Sequence, residues 1–184
     1  MTGSGLAFLR LDGGQAAARA DEFAGLHAEV YADPPYRQAD DAGVYPGRFR
    51  VWRRQPGFVL AEARHGGYLV GYAAGMPLRP STSWWRDLTT PLPAEVTAEH
   101  PGRTFALTDL LVRASWRRQG IGRDLHDLVL VGRPEERATL TVLPAAGPAQ
   151  SAFRVWGWRK VGRTRAEPGG AVSDVLVIAL PLGA

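Results

Sequence analysis

Thr108-Asp-Leu-Leu-Val-Arg-Ala-Ser-Trp-Arg-Arg-Gln-Gly-Ile-Gly-Arg123 is the stretch that decides the fold. Its first half completes an apolar strand over Thr104 to Arg113. Its second half carries two glycines one residue apart and opens onto Gln119 to Val131, where Ile121, Leu125, Leu128 and Val129 share a helical stripe. A strand therefore runs through a glycine-bearing turn into a helix. Gly120 and Gly122 have no side chain to hold a ligand off the backbone, and the N–H groups of Gln119 to Arg123 lack intrahelical partners at a helix start. The helix dipole adds positive potential there, and Arg117, Arg118 and Arg123 bracket the turn with guanidinium groups that match a diphosphate. A Walker-type loop would need Lys and then Ser or Thr after Gly122, where Arg123 and Asp124 stand. A dinucleotide fingerprint would need a third glycine where Leu125 stands. Both are disfavoured.

Working outward, Leu6 to Leu11 reads as a strand and Gln15 to Tyr31 as a helix with Phe23, Leu26 and Val30 on one face. Prolines 34, 35 and 46 interrupt before a second short helical stretch around Phe49 to Arg54. Phe58 to Ala63 and Tyr68 to Met76 flank His65-Gly66-Gly67 and read as a hairpin. Leu78 to Arg103 is a long proline-rich connection containing Trp84 and Trp85, which is expected of a binding loop or a locally disordered one. After the central helix, ended by Gly132 and Pro134, come a strand (Ala138 to Leu143), a short helix (Pro148 to Trp156) and a closing hairpin (Trp158 to Arg165 with Val172 to Leu180). The order is mixed α/β, with a crossover helix joining two parallel neighbours.

With 184 residues the chain is read as one domain over 1–184. An apolar share of 45% against 22% charged residues fits a folded core. Zero cysteines excludes disulfides, thiolate metal sites and a cysteine nucleophile. The net charge of +4 comes from arginines spread along the chain, with Lys160 the only lysine, so a polyanionic small molecule suits it better than nucleic acid. Met1 to Leu9 lacks a signal-peptide pattern and Val175 to Leu180 is too short to span a bilayer, so a cytoplasmic setting with no membrane partner is expected. The four histidines show no metal-ligand spacing with carboxylates, so no metal is expected, and His126 is read as a surface or boundary residue.

Arg117-Arg118-Gln119-Gly120-Ile121-Gly122 resembles the Arg/Gln-x-x-Gly-x-Gly/Ala pyrophosphate signature of the GNAT superfamily of N-acetyltransferases. The strand Leu110-Leu111-Val112 precedes it, Trp116 sits at the expected aromatic position, and Ala149, Gly157 and Trp158 resemble a second cofactor motif downstream. The resemblance implies a mixed, mostly antiparallel twisted sheet with a central parallel strand pair and flanking helices. It also implies a sheet that splays between the strand ending near Arg113 and the one ending near Leu143, with the pantetheine arm of acetyl-CoA in the gap. It further implies transfer of an acetyl group from acetyl-CoA to an amine-bearing acceptor, a small molecule or a protein. Two departures stand out: Ala146 at that motif's asparagine position and Phe153 at its tyrosine position, which in many relatives protonates the departing thiolate. A thiol pKa of about 8.5 makes that acid helpful and not obligatory.

An alkyl ammonium of pKa about 10.4 leaves roughly one molecule in a few thousand as free base at pH 7, so a proton acceptor is needed. Asp109 is the leading base, and the backbone N–H of Leu111, Val112 or Arg113 is expected to stabilise the oxyanion. Asp109 as a partner for a nearby arginine is the competing reading. Trp84 and Trp85 either line an acceptor pocket or pack their loop, and Tyr36, beside Tyr31 and Tyr45 in the early loop, is an acceptor contact or a staple. A non-catalytic acyl-CoA-binding module is the alternative function, and a homodimer is one possible assembly.

Overall fold

The computed structural model describes residues 5–38, 44–165 and 170–182. Among them the strands are β1 (Leu6–Leu11), β2 (Val59–His65), β3 (Tyr68–Pro77), β4 (Thr104–Val112), β5 (Arg137–Val142), β6 (Arg159–Thr164) and β7 (Ser173–Ala179). The helices are α1 (Gly13–Ala17), α2 (Ala20–Tyr31), α3 (Tyr45–Trp52), α4 (Ala94–Thr97), α5 (Ile121–Leu130) and α6 (Gly147–Val155). The strands follow the order β1-β2-β3-β4-β5-β7-β6 in one mostly antiparallel sheet, and β4 with β5 is the parallel pair. This is the α/β architecture the element order implied. The parallel register joins Thr104 with Arg137, Phe105 with Ala138 and Ala106 with Thr139, while each strand continues beyond it.

Two compact units divide the chain, one from Met1–Met76 with Leu107–Val131 and the other from Pro77–Ala106 with Gly132–Ala184. In the first, Phe23, Leu26 and Val30 recur at helical spacing on α2 and meet Tyr45 and Phe49 of α3, Leu60 of β2, Tyr72 of β3 and Leu111 of β4 in one buried cluster. Phe23 lies 5.2 Å from the Tyr72 ring and 6.0 Å from Phe49. Each side chain so buried stabilises the fold by about 1.5–3 kcal/mol. Because side chains alternate along a strand, Gly71 faces away from its neighbour Tyr72. A Cβ at Gly71 would lie 2.8 Å from the Leu111 carbonyl and 3.2 Å from Leu125 of α5. The hairpin turn holds Gly66 and Gly67 at φ +56° and +83°, as the paired glycines indicated.

The helix expected over Gln15 to Tyr31 is two helices. Asp12 starts α1 with a reciprocal cap, accepting from Gln15 N at 2.8 Å while its own N–H donates to Gln15 Oε1 at 2.9 Å. The chain then leaves the helical path at Arg19 (φ −124°, ψ 18°), whose guanidinium pairs with the buried carboxylate of Glu62 on β2. Arg64 Nη2 donates to the other oxygen of the same carboxylate at 3.0 Å, so Glu62 is buried between two guanidinium groups, one of them supplied by the residue at the helix break.

In the second unit the long connection is ordered. Glu99 Oε1, on an almost wholly buried side chain, accepts from Trp85 Nε1 at 2.9 Å, Thr104 Oγ1 at 2.8 Å and Arg137 Nη2 at 3.0 Å. Arg137 also donates to the Val96 carbonyl at 2.7 Å and lies 5.3 Å from the Trp85 ring centre. Farther along, Leu88 bridges Thr164, Thr89 N donates to Arg163 O at 2.9 Å, and Arg165 N donates to Asp87 O at 2.9 Å. Phe153 and Trp158 are buried, with Phe153 edge-on to Trp156 and Trp158, and Ala146 is buried at the N-cap of α6.

Candidate functional site

The turn between β4 and α5 is exposed from Arg117 to Gly120 and anchored by the buried Ile121. A single 3-10 turn, Ala114–Trp116, leaves the strand, with Trp116 4.8 Å from the His65 ring. Gly120 then takes φ +85° as the N-cap of α5, a left-handed conformation in which a Cβ is disfavoured. Arg118 also has φ +64°, in the same region and without glycine's freedom. The N–H groups of Arg123 and Asp124 return to the Gly120 carbonyl at 2.9 and 3.1 Å. The amides of Ile121 and Gly122 head the first turn with no earlier helical carbonyl to accept from them. An exposed nest of amides at the positive end of a helix dipole, flanked by arginines, suits an anion with several oxygens.

The arginines divide by task. Arg117 Nε donates to the Val112 carbonyl at 2.9 Å, which ties the turn to the end of β4. Arg123 Nε donates to Asp127 Oδ2 at 2.8 Å, and the other oxygen of that carboxylate lies 2.7 Å from His126 Nδ1. His126 is fully buried, contrary to the surface or boundary position expected, and burial lowers its pKa from 6.5. Arg113 points elsewhere. Its Nε donates to the Leu69 carbonyl at 2.8 Å, its guanidinium pairs with Glu29 of α2, and it lies 4.5 Å from the Tyr68 ring centre.

The three amides expected to face a thioester carbonyl are not equivalent. Arg113 N donates to the Val70 carbonyl of β3 at 2.9 Å and is already used. Successive N–H groups of a strand point to opposite edges, so Leu111 shares the β3 edge with Arg113, and the N–H of Val112 points to the other edge. Of the three, Val112 is the amide directed away from β3, and its carbonyl is the one Arg117 holds.

Asp109 is 5% exposed and lies on the face of β4 shared with Leu111. Thr108 Oγ1 lies 3.2 Å from Asp109 Oδ2 and 3.0 Å from the Ala74 carbonyl, and its one proton is shared between these acceptors. Tyr45 and Tyr72 join hydroxyls at 2.6 Å. Burial first, and then the negative charge of Asp109, pushes the pKa of both phenols well above the ordinary tyrosine range. Tyr36, in the short 3-10 turn Tyr36–Gln38, is half-buried and 5.1 Å from Tyr31. Burial raises its pKa and the positive charge of Arg117 opposes that rise, so the early loop and the arginine turn lie within electrostatic reach.

The first unit thus brings Asp109, Val112, Tyr36 and the Arg117–Arg123 turn together. Trp84 and Trp85 belong to the second unit, where Trp85 is buried, held by Glu99, and forms one wall of an open groove of about 490 Å³ with Pro80, Thr82, Arg86, Leu88 and Leu92. Its indole is committed to the loop's own packing, and Trp84 Nε1 is buried. Tyr72 is not singled out by the sequence because it alternates correctly as a core strand residue, and Tyr45, read with Tyr31 and Tyr36 as an acceptor contact or a staple, gives no sign in the sequence of its pairing with Tyr72. Only their joint burial exposes them. Among the described residues no group of three or more His, Asp or Glu side chains is placed to hold a metal ion.

Comparison with known proteins matches residues 19–158 to the acetyltransferase (GNAT) family. No curated protein matches the sequence. Solved structures share the fold at low identity. Arabidopsis thaliana NAA60 in complex with a bisubstrate analogue is 14% identical with a TM-score of 0.66, over 96% of this chain and 100% of that one. A GNAT-family acetyltransferase from Streptococcus pneumoniae is 10% identical with a TM-score of 0.63, over 96% and 100%. Aminoglycoside N-acetyltransferase AAC(6')-Iy in complex with CoA is 14% identical with a TM-score of 0.59, over 90% and 95%.

Proposed function

This chain belongs to the GNAT acetyltransferase family, and from that premise we propose that it moves an acetyl group from acetyl-CoA to a primary amine of a small molecule or protein by direct attack. The observation that carries the proposal is the Arg117–Arg123 turn, with Gly120 left-handed at the N-cap of α5 and amides and guanidinium groups gathered on an exposed surface. That donor set fits a diphosphate. Acetyl-CoA, when bound, supplies an acyl group activated as a thioester.

The chain's own residues then have separable tasks. Amides of Gln119 to Gly122, with Arg118 and Arg123, hold the diphosphate, while Arg117 ties the turn to Val112. The Val112 N–H donates to the acyl oxygen as negative charge develops there, the interaction expected to contribute most to rate. Asp109 accepts the proton of the attacking ammonium, directly or through one water. Tyr36, at the edge of the early loop, is the acceptor contact. Phe153 has no proton to offer a leaving sulfur, and a conjugate thiol with a pKa of about 8.5 would make such an acid helpful without being required.

The family match crosses both units, which supports treating residues 1–184 as one transferase domain. Dependence on acetyl-CoA supports a cytoplasmic setting. Among the described residues no helix is long and apolar enough to cross a membrane.

The test pairs two measurements on the full chain: thermal stabilisation by acetyl-CoA, and thiol release in the presence of polyamines, aminoglycosides and N-terminal peptides. Stabilisation with amine-dependent thiol release is expected, and Asp109→Asn is expected to keep the first and lower the second, most at low pH. Stabilisation with no release from any amine would reduce the chain to an acyl-CoA-binding module.

A further inference from the structure

Asp109 is a carboxyl group set into a core, and a buried carboxylate without donors takes up a proton and ceases to be a base. Something in that core must favour its charged form. The cluster containing Leu111, two residues along the same strand face, also contains Tyr45 from the start of α3 and Tyr72 from the middle of β3. Tyr72 is wholly buried, Tyr45 is 1% exposed, and their hydroxyls lie 2.6 Å apart. Two hydroxyls bonded to each other use one of their two protons. The second O–H remains a donor that burial obliges to find an acceptor.

The groups packed around this pair narrow where that proton goes. His27 of α2 stacks between Tyr31 at 4.1 Å and Tyr45 at 3.8 Å, so it meets Tyr45 through ring faces. Arg48 of α3 lies 5.7 Å from the Tyr45 ring centre and 5.0 Å from Trp52, and it is a donor only. Thr108, whose Cβ alternates to the opposite face of β4, shares its single O–H proton between the Ala74 carbonyl and Asp109. Asp109 brings the negative charge that acts on both phenols. Because both hydroxyls are held neutral, they keep their protons and serve as donors throughout the physiological range.

We propose that Tyr45 and Tyr72 form a two-hydroxyl chain that reaches the Asp109 carboxylate through one water, and are positioning residues for the group that accepts the ammonium proton. The proposal rests on the Asp109 assignment made above and adds the support that lets a buried carboxylate act as a base near neutral pH. A phenol donating to a carboxylate stabilises the charged form, so removing the donors raises the carboxylate pKa. For a charge-assisted hydrogen bond the expected rise is about one to two pH units.

The direct test is a carbon-13 titration of the Asp109 carboxyl in the whole protein, its resonance identified by its loss in Asp109→Asn. In Tyr45→Phe/Tyr72→Phe the midpoint moves up by about one to two units, and the acid limb of kcat/KM moves with it while the high-pH plateau is unchanged. Replacing all tyrosine in the wild-type chain by 3-fluorotyrosine, a stronger donor, moves the midpoint down, and this keeps the proposal exposed if the double variant does not fold. An unmoved Asp109 midpoint in either preparation, with folding verified by near-ultraviolet circular dichroism, overturns it. The titration needs no turnover. A shifted midpoint in a protein that never acetylates any amine would defeat the proposed function alone, and an unshifted midpoint in an active enzyme would defeat this inference alone.

Discussion

Arg118 sits in the left-handed region at φ +64° in the middle of the proposed phosphate turn, so it should carry a conformational penalty for the sake of its guanidinium. For a residue with a Cβ that region costs about 1–2 kcal/mol. Arg118→Gly removes the penalty and gives back about 0.4–1 kcal/mol through the greater freedom of the unfolded chain. The net gain is about 0.5–1 kcal/mol, or a melting temperature higher by roughly 1–4 °C for a chain of this length. Arg118→Ala loses the same charge but keeps the strained backbone, so it should melt below the glycine variant by a similar amount. Both variants lose one charge-assisted contact to the diphosphate. For an exposed arginine that is at the lower end of the usual range, about a tenfold weaker dissociation constant for acetyl-CoA. Differential scanning calorimetry without ligand and isothermal titration with acetyl-CoA read the two effects separately. A glycine variant that melts no higher than the alanine variant refutes the strain argument. One that binds acetyl-CoA as tightly as the parent refutes the phosphate contact.

Three further outcomes follow from the packing. Gly13→Ala drives a Cβ into the Arg53 carbonyl, and because the obstacle is backbone, a loss of at least about 2 kcal/mol in chemical denaturation is expected. Arg137→Ala leaves Glu99 charged and buried without its cation, at a cost of about 3–5 kcal/mol by the same measurement, whereas Arg137→Lys should recover part of it. Burial depresses the folded pKa of His126, so the unfolded chain binds more protons as pH falls below about 6.5. Its contribution to stability is complete above that value and is lost as pH falls through the folded one; His126→Gln should flatten this part of the stability profile.

The strand–turn–helix centred on Gly120 was legible because each of its signals is local: apolar alternation, two glycines, then a 3.6-residue stripe. Most element boundaries in the sheet followed for the same reason, since side chains two or four residues apart report directly on the face they share. What escaped was decided by partners far apart in the chain. Arg19, at the break between α1 and α2, pairs with Glu62, 43 residues on. The order of the long connection rests on Glu99 meeting Arg137, 38 residues away, and Tyr45 meets Tyr72 across 27. Helical periodicity marked the covered side of α5 by Ile121, Leu125 and Val129 but could not show that the buried face widens to include His126. The candidate site divides along the same line: its anion-binding turn is contiguous in sequence, while the surroundings of Asp109 are assembled from α2, α3, β3 and β4.

The pairing of residues 87–89 with the end of β6 has a consequence for solubility. A terminal strand with open N–H and C=O groups is a template onto which any other extended chain can add, the usual beginning of ordered aggregation. Here the connection shields part of that template from within the same molecule, through Leu88 opposite Thr164 and the hydrogen bonds on either side. What looks in the sequence like spare length between two strands is, at Asp87 to Thr89, a guard against self-association.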